Sequence, residues 1–216
     1  MQSISEIWLS VDLSSSQGTL ALHRWSDEKV KPELIMEKPV GDTFHHSENF
    51  LPALDTLLKE SGVELSQLSR LVTTSGPGSF TGLRIAFASL KAIAMVHGLP
   101  IETLSSSEVR AMAYASGKPA VVTQVASKRF SISKLPYDRE DVIELADIMK
   151  TLVHGETVIL DEKSDPVLFS AFQTVKFPLR AKYLGDFLFE ASSRKTSSTL
   201  SEQIALFPNY FGNAKF

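Results

Sequence analysis

Between residues 71 and 97 the chain runs from a β-branched segment through a glycine-rich turn straight into a long apolar helix, and this junction restricts the fold more than any other feature. Leu71-Val72-Thr73-Thr74 reads as a strand, Ser75-Gly76-Pro77-Gly78-Ser79-Phe80-Thr81-Gly82 as the turn, and residues 83–97 as the helix. Strand, turn and helix N-terminus in direct succession form the unit of an α/β layer, with backbone N–H groups that can face an anion. The helix is apolar on nearly every side: Ile85, Ala86, Phe87, Ala88, Leu90, Ala92, Ile93, Ala94, Met95 and Val96 surround it, and only Arg84, Ser89 and Lys91 interrupt. A surface helix of a monomer needs one apolar stripe. One face of this helix can lie on a sheet. The other calls for a second cover, either a partner helix or another lobe of the same chain. Ala88 and Ala92 are small enough to let a second helix come close.

The turn does not spell a nucleotide signature. Gly76, Gly78 and Gly82 are spaced G-x-G-x-x-x-G, one residue too long for the dinucleotide fingerprint, and Leu83 follows Gly82 where a phosphate-binding loop carries Lys and Ser or Thr. A tight turn that lets helix and sheet pack closely is the plainer reading. Metal and nucleophile patterns are equally thin. At the i+4 spacing His45 meets Asn49 and His46 meets Phe50, while His23, His97 and His154 stand alone. No serine sits in G-x-S-x-G. Asp12, at the end of the first strand, could touch a metal-bound phosphate or cap a turn. The expectation is therefore no catalytic residue, no metal ligand and no cofactor.

Around the junction, residues 7–12 and 19–25 read as a hairpin across the polar turn 13–18, with a third strand over 30–39. Phe50, Leu51, Leu54, Leu57 and Leu58 mark one face of a helix over 47–61, capped by Ser47 or Asn49, with Pro52 in its first turn and Gly62 at its end. After Pro100 the pattern resets. Ser105 and Glu108 make a capping box for a helix over 109–115. Residues 120–125 and 129–134 read as strands, and Asp138 caps an amphipathic helix through Val142, Ala146, Met149 and Val153. Residues 157–160 form another strand and 181–191 a last helix. The sequence shows no internal repeat by eye, only a weak echo of the first half in the second. Two α/β lobes are expected, 1–102 and a smaller 103–216 whose final segment can return to the first.

Hydrophobic residues make up 43% of the 216 residues and charged residues 22%, enough for a core. With a net charge of −3 and basic clusters only at Lys128-Arg129 and Lys29 with Lys31, the chain lacks the basic stripe of a protein that grips nucleic acid alone. Cysteine is absent, which removes disulfides and thiolate metal sites and is compatible with a reducing compartment. Residues 1–6 do not have the layout of a signal peptide. Residues 83–96 are read as too short, and too interrupted by Arg84 and Lys91, to cross a membrane. A cytoplasmic location is expected.

The run from Ser75 to Ile85 closely resembles the GPGSFTG-[LV]-R-I-G segment of the TsaB (YeaZ) family, tRNA threonylcarbamoyladenosine biosynthesis proteins of the glycoprotease-like superfamily. Val11-Asp12-Leu13-Ser14 resembles its I-D-T-S strand end, His46-Ser47 with Leu51-Pro52 its H-(S/T)…L-P helix start, Leu104-Ser105-Ser106 its entry to the second lobe, and Pro208-Asn209-Tyr210 its C-terminal P-x-Y. The resemblance spans most of residues 5–110 and then thins. It departs at Val125-Ala126-Ser127-Lys128-Arg129-Phe130, where the family has D-A-R-x-x-E-V-Y, and at Ala86 and Ala88, where the family has glycine.

This resemblance implies a two-lobe actin, Hsp70 and sugar-kinase (ASKHA) fold with ribonuclease H-like lobes, the second reduced. It implies a non-catalytic paralogue of TsaD that lacks the H-x-x-x-H metal pair. The first two helices would form a bundle with those of TsaD or of a second copy, through Phe50, Leu54, Leu57, Phe80, Arg84, Phe87, Ala88, Lys91 and Ala92. TsaD would transfer the threonylcarbamoyl group, TsaE would be a further partner, and tRNA would be met only through the complex. Two other readings stand beside it. One is a metallopeptidase-like or ATP-binding enzyme of the same fold, resting on Asp12 and the glycine turn. The other is a homodimeric adaptor unrelated to tRNA.

Overall fold

The computed structural model describes residues 5–27, 30–42, 45–114, 119–134 and 140–192. The first half forms β1 (Glu6–Asp12), β2 (Gln17–Trp25), β3 (Glu33–Asp42), α1 (His46–Ser61), β4 (Leu68–Gly76), α2 (Phe80–His97) and β5 (Ile101–Ser105). α3 (Ser106–Tyr114) leads onward to β6 (Ala120–Ala126), β7 (Arg129–Ser133), β8 (Glu140–Glu144), α4 (Leu145–Thr151), β9 (Thr157–Leu160), β10 (Gln173–Lys176) and α5 (Lys182–Ser192).

The strands make two five-stranded sheets, ordered β3-β2-β1-β4-β5 and β10-β9-β6-β7-β8. In the first, β1–β2 and β2–β3 pair antiparallel while β1–β4 and β4–β5 pair parallel. The second repeats this connectivity with β6, β7, β8, β9 and β10 in the same roles. The echo sensed in the sequence is thus a duplication of topology. Residue identity does not betray it because a shared strand order requires only apolar residues at matching depths. The molecule has a two-lobe α/β architecture in which both sheets share one strand order. The second lobe is reduced at definite places: α4 has 7 residues against 16 in α1. Where α2 runs for 18 residues, the second lobe has the 3-10 turn Pro166–Phe169.

Alternation along β1 divides the core. Leu9 and Val11 face α1 and α2 with Leu20, Leu22, Phe50, Leu54, Leu57, Ala86 and Leu90. Trp8 faces the other way and packs with Val72, Leu104, Val109, Leu179, Leu184 and Leu188. The first sheet is therefore covered on both sides, and α5 comes from beyond the second sheet to provide part of that cover. Ala181 N donates to Thr19 Oγ1 at 2.8 Å and Ser15 Oγ donates to the Leu179 carbonyl at 3.1 Å as the chain crosses back. At the landing point His23 is fully buried, with Nδ1 3.3 Å from Ser10 Oγ and Nε2 3.1 Å from the Lys182 carbonyl. A carbonyl only accepts, so Nε2 carries the proton and Nδ1 accepts from the serine. Burial holds the His23 pKa below its ordinary 6.5, against the smaller opposing pull of the Lys182 carbonyl, Asp186 and Glu37.

Several expectations are revised. Residues 140–144 form the edge strand β8, paired with β7, so the helix expected through Val142 to Val153 is only α4. Three or four apolar residues fit period 2 and period 3.6 alike, and the open edge of β7 decides between them. β5 and β10 were not foreseen because Ile101-Glu102-Thr103-Leu104 and Gln173-Thr174-Val175-Lys176 lack the unbroken apolar run that marks β9. α1 begins at His46 with no side-chain cap from its N-cap residue, which moves Pro52 out of the first turn. β5 ends at Ser105, so the expected lobe boundary at 102 falls inside a strand. The Pro208-Asn209-Tyr210 resemblance lies outside the described residues.

Candidate interaction surface beside the glycine turn

The glycine turn is shaped by contact with the chain's own first loop. Ser79 caps α2, its Oγ accepting from Gly82 N at 3.3 Å, and Ser79 N donates to the Ser14 carbonyl at 2.7 Å. A Cβ on Gly82 would lie 1.8 Å from the Leu13 carbonyl oxygen, and one on Gly78 would lie 2.6 Å from Ser14 Cβ. Glycine is required there because residues 13 and 14 pass directly over the turn. Two N–H groups that an anion would use are thus engaged by Ser79 Oγ and by the Ser14 carbonyl. Asp12 lies beneath, fully buried. Its Oδ1 accepts from Ser14 N (3.1 Å), Ser14 Oγ (2.6 Å) and Thr74 Oγ1 (3.2 Å), while Oδ2 has no partner. Near the same loop, Gly18 N donates to the buried His46 Nε2 at 3.0 Å, a role that a lone histidine in sequence does not announce.

The docked side of α2 consists of Gly82, Leu83, Ala86, Phe87, Leu90 and Ala94. The opposite side is exposed at Phe80, Arg84, Ala88, Ala92, Met95 and Val96, with Lys91 half-buried at its margin. Met95 is 70% exposed and Val96 79%, and on neighbouring α1 Leu51 is 66% exposed. At 3.6 residues per turn Phe80, Arg84, Ala88, Lys91 and Met95 form one stripe along the helix. Arg84 reaches over the Phe80 ring, its guanidinium carbon 5.5 Å from the ring centre, which leaves the middle of the stripe to the two alanines.

The nine residues expected at an interface therefore separate. Phe80, Arg84, Ala88, Lys91 and Ala92 lie on the outward side of α2. Phe50, Leu54, Leu57 and Phe87, 1%, 4%, 0% and 4% exposed, are core residues of their own lobe and offer a partner no surface. The correction has a simple cause: periodicity shows which residues share a helix face but not whether that face looks in or out. For the same reason Leu51, Met95 and Val96 were not singled out. By length and composition α2 is apolar enough to cross a membrane. Its docking on β4 and β1 makes it one cover of a sheet.

Comparison with known proteins agrees with this geometry. The family model described as "TsaD: tRNA N6-adenosine threonylcarbamoyltransferase" matches residues 39–160, more than half of the chain. The chain is 37% identical over 67 residues to the tRNA threonylcarbamoyladenosine biosynthesis protein TsaB of Bacillus subtilis, covering 31% of this chain and 29% of that protein. It is 35% identical over 105 residues to TsaB of Haemophilus influenzae, covering 49% of this chain and 42% of that protein. These matches take in less than half the length of either relative. A solved structure of a Pseudomonas aeruginosa protein with similarity to peptidase YeaZ superposes with a TM-score of 0.71 at 19% identity, covering 95% of this chain and 99% of that one. The matched family region contains α1, the glycine turn and α2, and on this ground the chain belongs to the TsaD family, with TsaB (YeaZ) proteins among those it is similar to.

Proposed function

We propose that this chain is a non-catalytic scaffold subunit that binds TsaD and holds it in an active arrangement during threonylcarbamoylation of tRNA adenosine. Its place in threonylcarbamoyladenosine biosynthesis follows the TsaB resemblance. The scaffold role rests on one observation: α2 covers its own sheet with one side and leaves an apolar, small-residue side outward. Exposed Met95, Val96, Ala88 and Ala92 on α2, with Leu51 exposed on α1, offer an apolar, small-residue surface onto which a second helix can pack closely. Arg84 and Lys91 lie among them and suit acidic groups on the partner. In this reading TsaD carries the transfer chemistry, TsaE joins the assembly, tRNA is met through the complex, and the work is done in the cytoplasm. A homodimer through the same side is the resting alternative to the TsaD pair.

The test is a titration of the purified chain with the TsaD of its own genome, paired with analysis of total tRNA nucleosides in cells. Ala88→Arg places a long cation in the middle of the stripe without touching the core. It should abolish stable association and lower threonylcarbamoyladenosine while the thermal transition stays in place. Wild-type chain that fails to associate, or full modification in cells carrying only the variant, would overturn the reading.

A second reading keeps one observation of its own. Asp12 Oδ2 is buried without a partner below the glycine turn, the position from which a carboxylate could meet a magnesium-bound phosphate in an ATP-binding enzyme. Calorimetry of the isolated chain with magnesium and ATP separates the two, since micromolar binding with turnover belongs to the second alone.

A further inference from the structure

Arg110 is among the largest fully buried side chains of the protein, 1% exposed, on α3 where that helix passes from the first sheet to the second. Its Nη1 donates to Thr123 Oγ1 at 3.2 Å, its Nε has no partner, and among the described residues no carboxylate pairs with it. Three hydroxyls nearby are also buried without partners: Ser106, Ser107 and Ser131. Ser106 and Ser107 open α3 one turn before Arg110 and share its side of the helix. Ser131 on β7 is the register partner of Thr123 on β6, so their side chains are neighbours on one face of the second sheet. That face meets α3, since Val121 and Ile159 pack with Ala111. The hydrogen bond from Arg110 to Thr123 therefore brings the guanidinium to the sheet face that carries Ser131, with Ser106 and Ser107 one turn back on the same side of α3.

The chemistry of this group is one-sided. A guanidinium only donates, each hydroxyl has a proton to give, and the first turn of α3 adds the positive end of a helix dipole. Glu108, the acidic residue of that turn, lies about 200° around the helix from both Ser106 and Arg110 and does not supply the missing charge. A buried cation without a counter-charge is among the costliest arrangements in a protein interior, and buried polar groups in native folds find partners. Water would satisfy the hydroxyls and leave the charge. A small oxyanion answers both.

We propose that Arg110, Ser106, Ser107 and Ser131 form a binding site for a phosphate-class oxyanion between α3 and the second sheet, one that ties the two lobes together when filled. The test uses the full chain, dialysed free of phosphate and titrated with sodium phosphate at constant ionic strength by calorimetry and thermal unfolding. The wild type should bind one phosphate per chain and its transition should rise saturably. Arg110→Leu should abolish both effects. Ser107→Ala and Ser131→Ala, which fill no space and cannot prevent folding in the same way, should each weaken binding by roughly tenfold, as loss of a hydrogen bond to a charged group does. Adenosine monophosphate, titrated in parallel, distinguishes a free oxyanion from a nucleotide's phosphate group, and binding of either supports the site. No saturable phosphate effect on the wild type overturns it. So does equal affinity in a folded Arg110→Leu protein or, should that variant not fold, unchanged affinity in both serine variants.

Discussion

Single residues carry the contact between the first loop and the glycine turn. Gly82 has the carbonyl of Leu13 where a Cβ would be, 1.8 Å away, and backbone cannot step aside as a flexible side-chain end can. Gly82→Ala should therefore lower unfolding stability by at least about 2 kcal/mol in urea titration, in the manner of an overpacked core. His23 offers a different residue-scale test. Its folded-state pKa lies below the unfolded value of 6.5. As pH falls through 6.5 the unfolded chain takes up the proton first, so stability is lost downward from neutral pH until the folded-state pKa is passed. Thermal unfolding from pH 7.5 to 5.5 should show this decline, and His23→Gln should flatten it at the cost of a lower starting point.

At the scale of elements, helices α2 and α5 solve opposite problems. α5 is anchored: Leu184 is fully buried and Leu188 is 6% exposed, against Trp8 and Val72 of the first sheet. Leu184→Ala should cost about 2–5 kcal/mol, read from the urea midpoint, because it opens a cavity between elements far apart in the chain. α2 is only half used by its own lobe. Its exposed residues are mainly apolar or small, so charged substitutions there should leave folding nearly unchanged, within about 0.5 kcal/mol. The second lobe shows the same economy from the other side. With a 3-10 turn at Pro166–Phe169 in place of an α2, it presents no comparable helix among the described residues.

For the molecule as a whole, the arrangement leaves the exposed apolar side of α2, the side proposed for a partner, on the first lobe. The crossing of α3 and the return of α5 are given over to holding the lobes together. Met95→Glu with Val96→Glu should reduce affinity for TsaD by at least about tenfold in calorimetry, since two charges would have to be desolvated at a helix contact. A matched pair of acidic substitutions on exposed residues of α4, Ala146→Glu with Lys150→Glu, should leave that affinity unchanged.

Much was legible in the residues themselves. The GPGSFTG turn announced strand, turn and helix in their observed order, because glycine spacing and apolar periodicity are local properties. The two α/β lobes were legible in the reset of the pattern after Pro100, and the resemblance that this turn carries gave them a fold type. The all-round apolar character of residues 83–97 pointed to a helix needing two covers. What the sequence could not give was direction. Phe50, Leu54, Leu57 and Phe87 face inward and Leu51, Met95 and Val96 outward only because the sheet lies on one side of the helices, and that is fixed by strand order and register. The pairing of residues 140–144 with β7, the landing of α5 on His23, and the meeting of Arg110 with Thr123 depend likewise on contacts between distant segments. Local chemistry set the elements; the sheets, once assembled, decided which of their faces would see water.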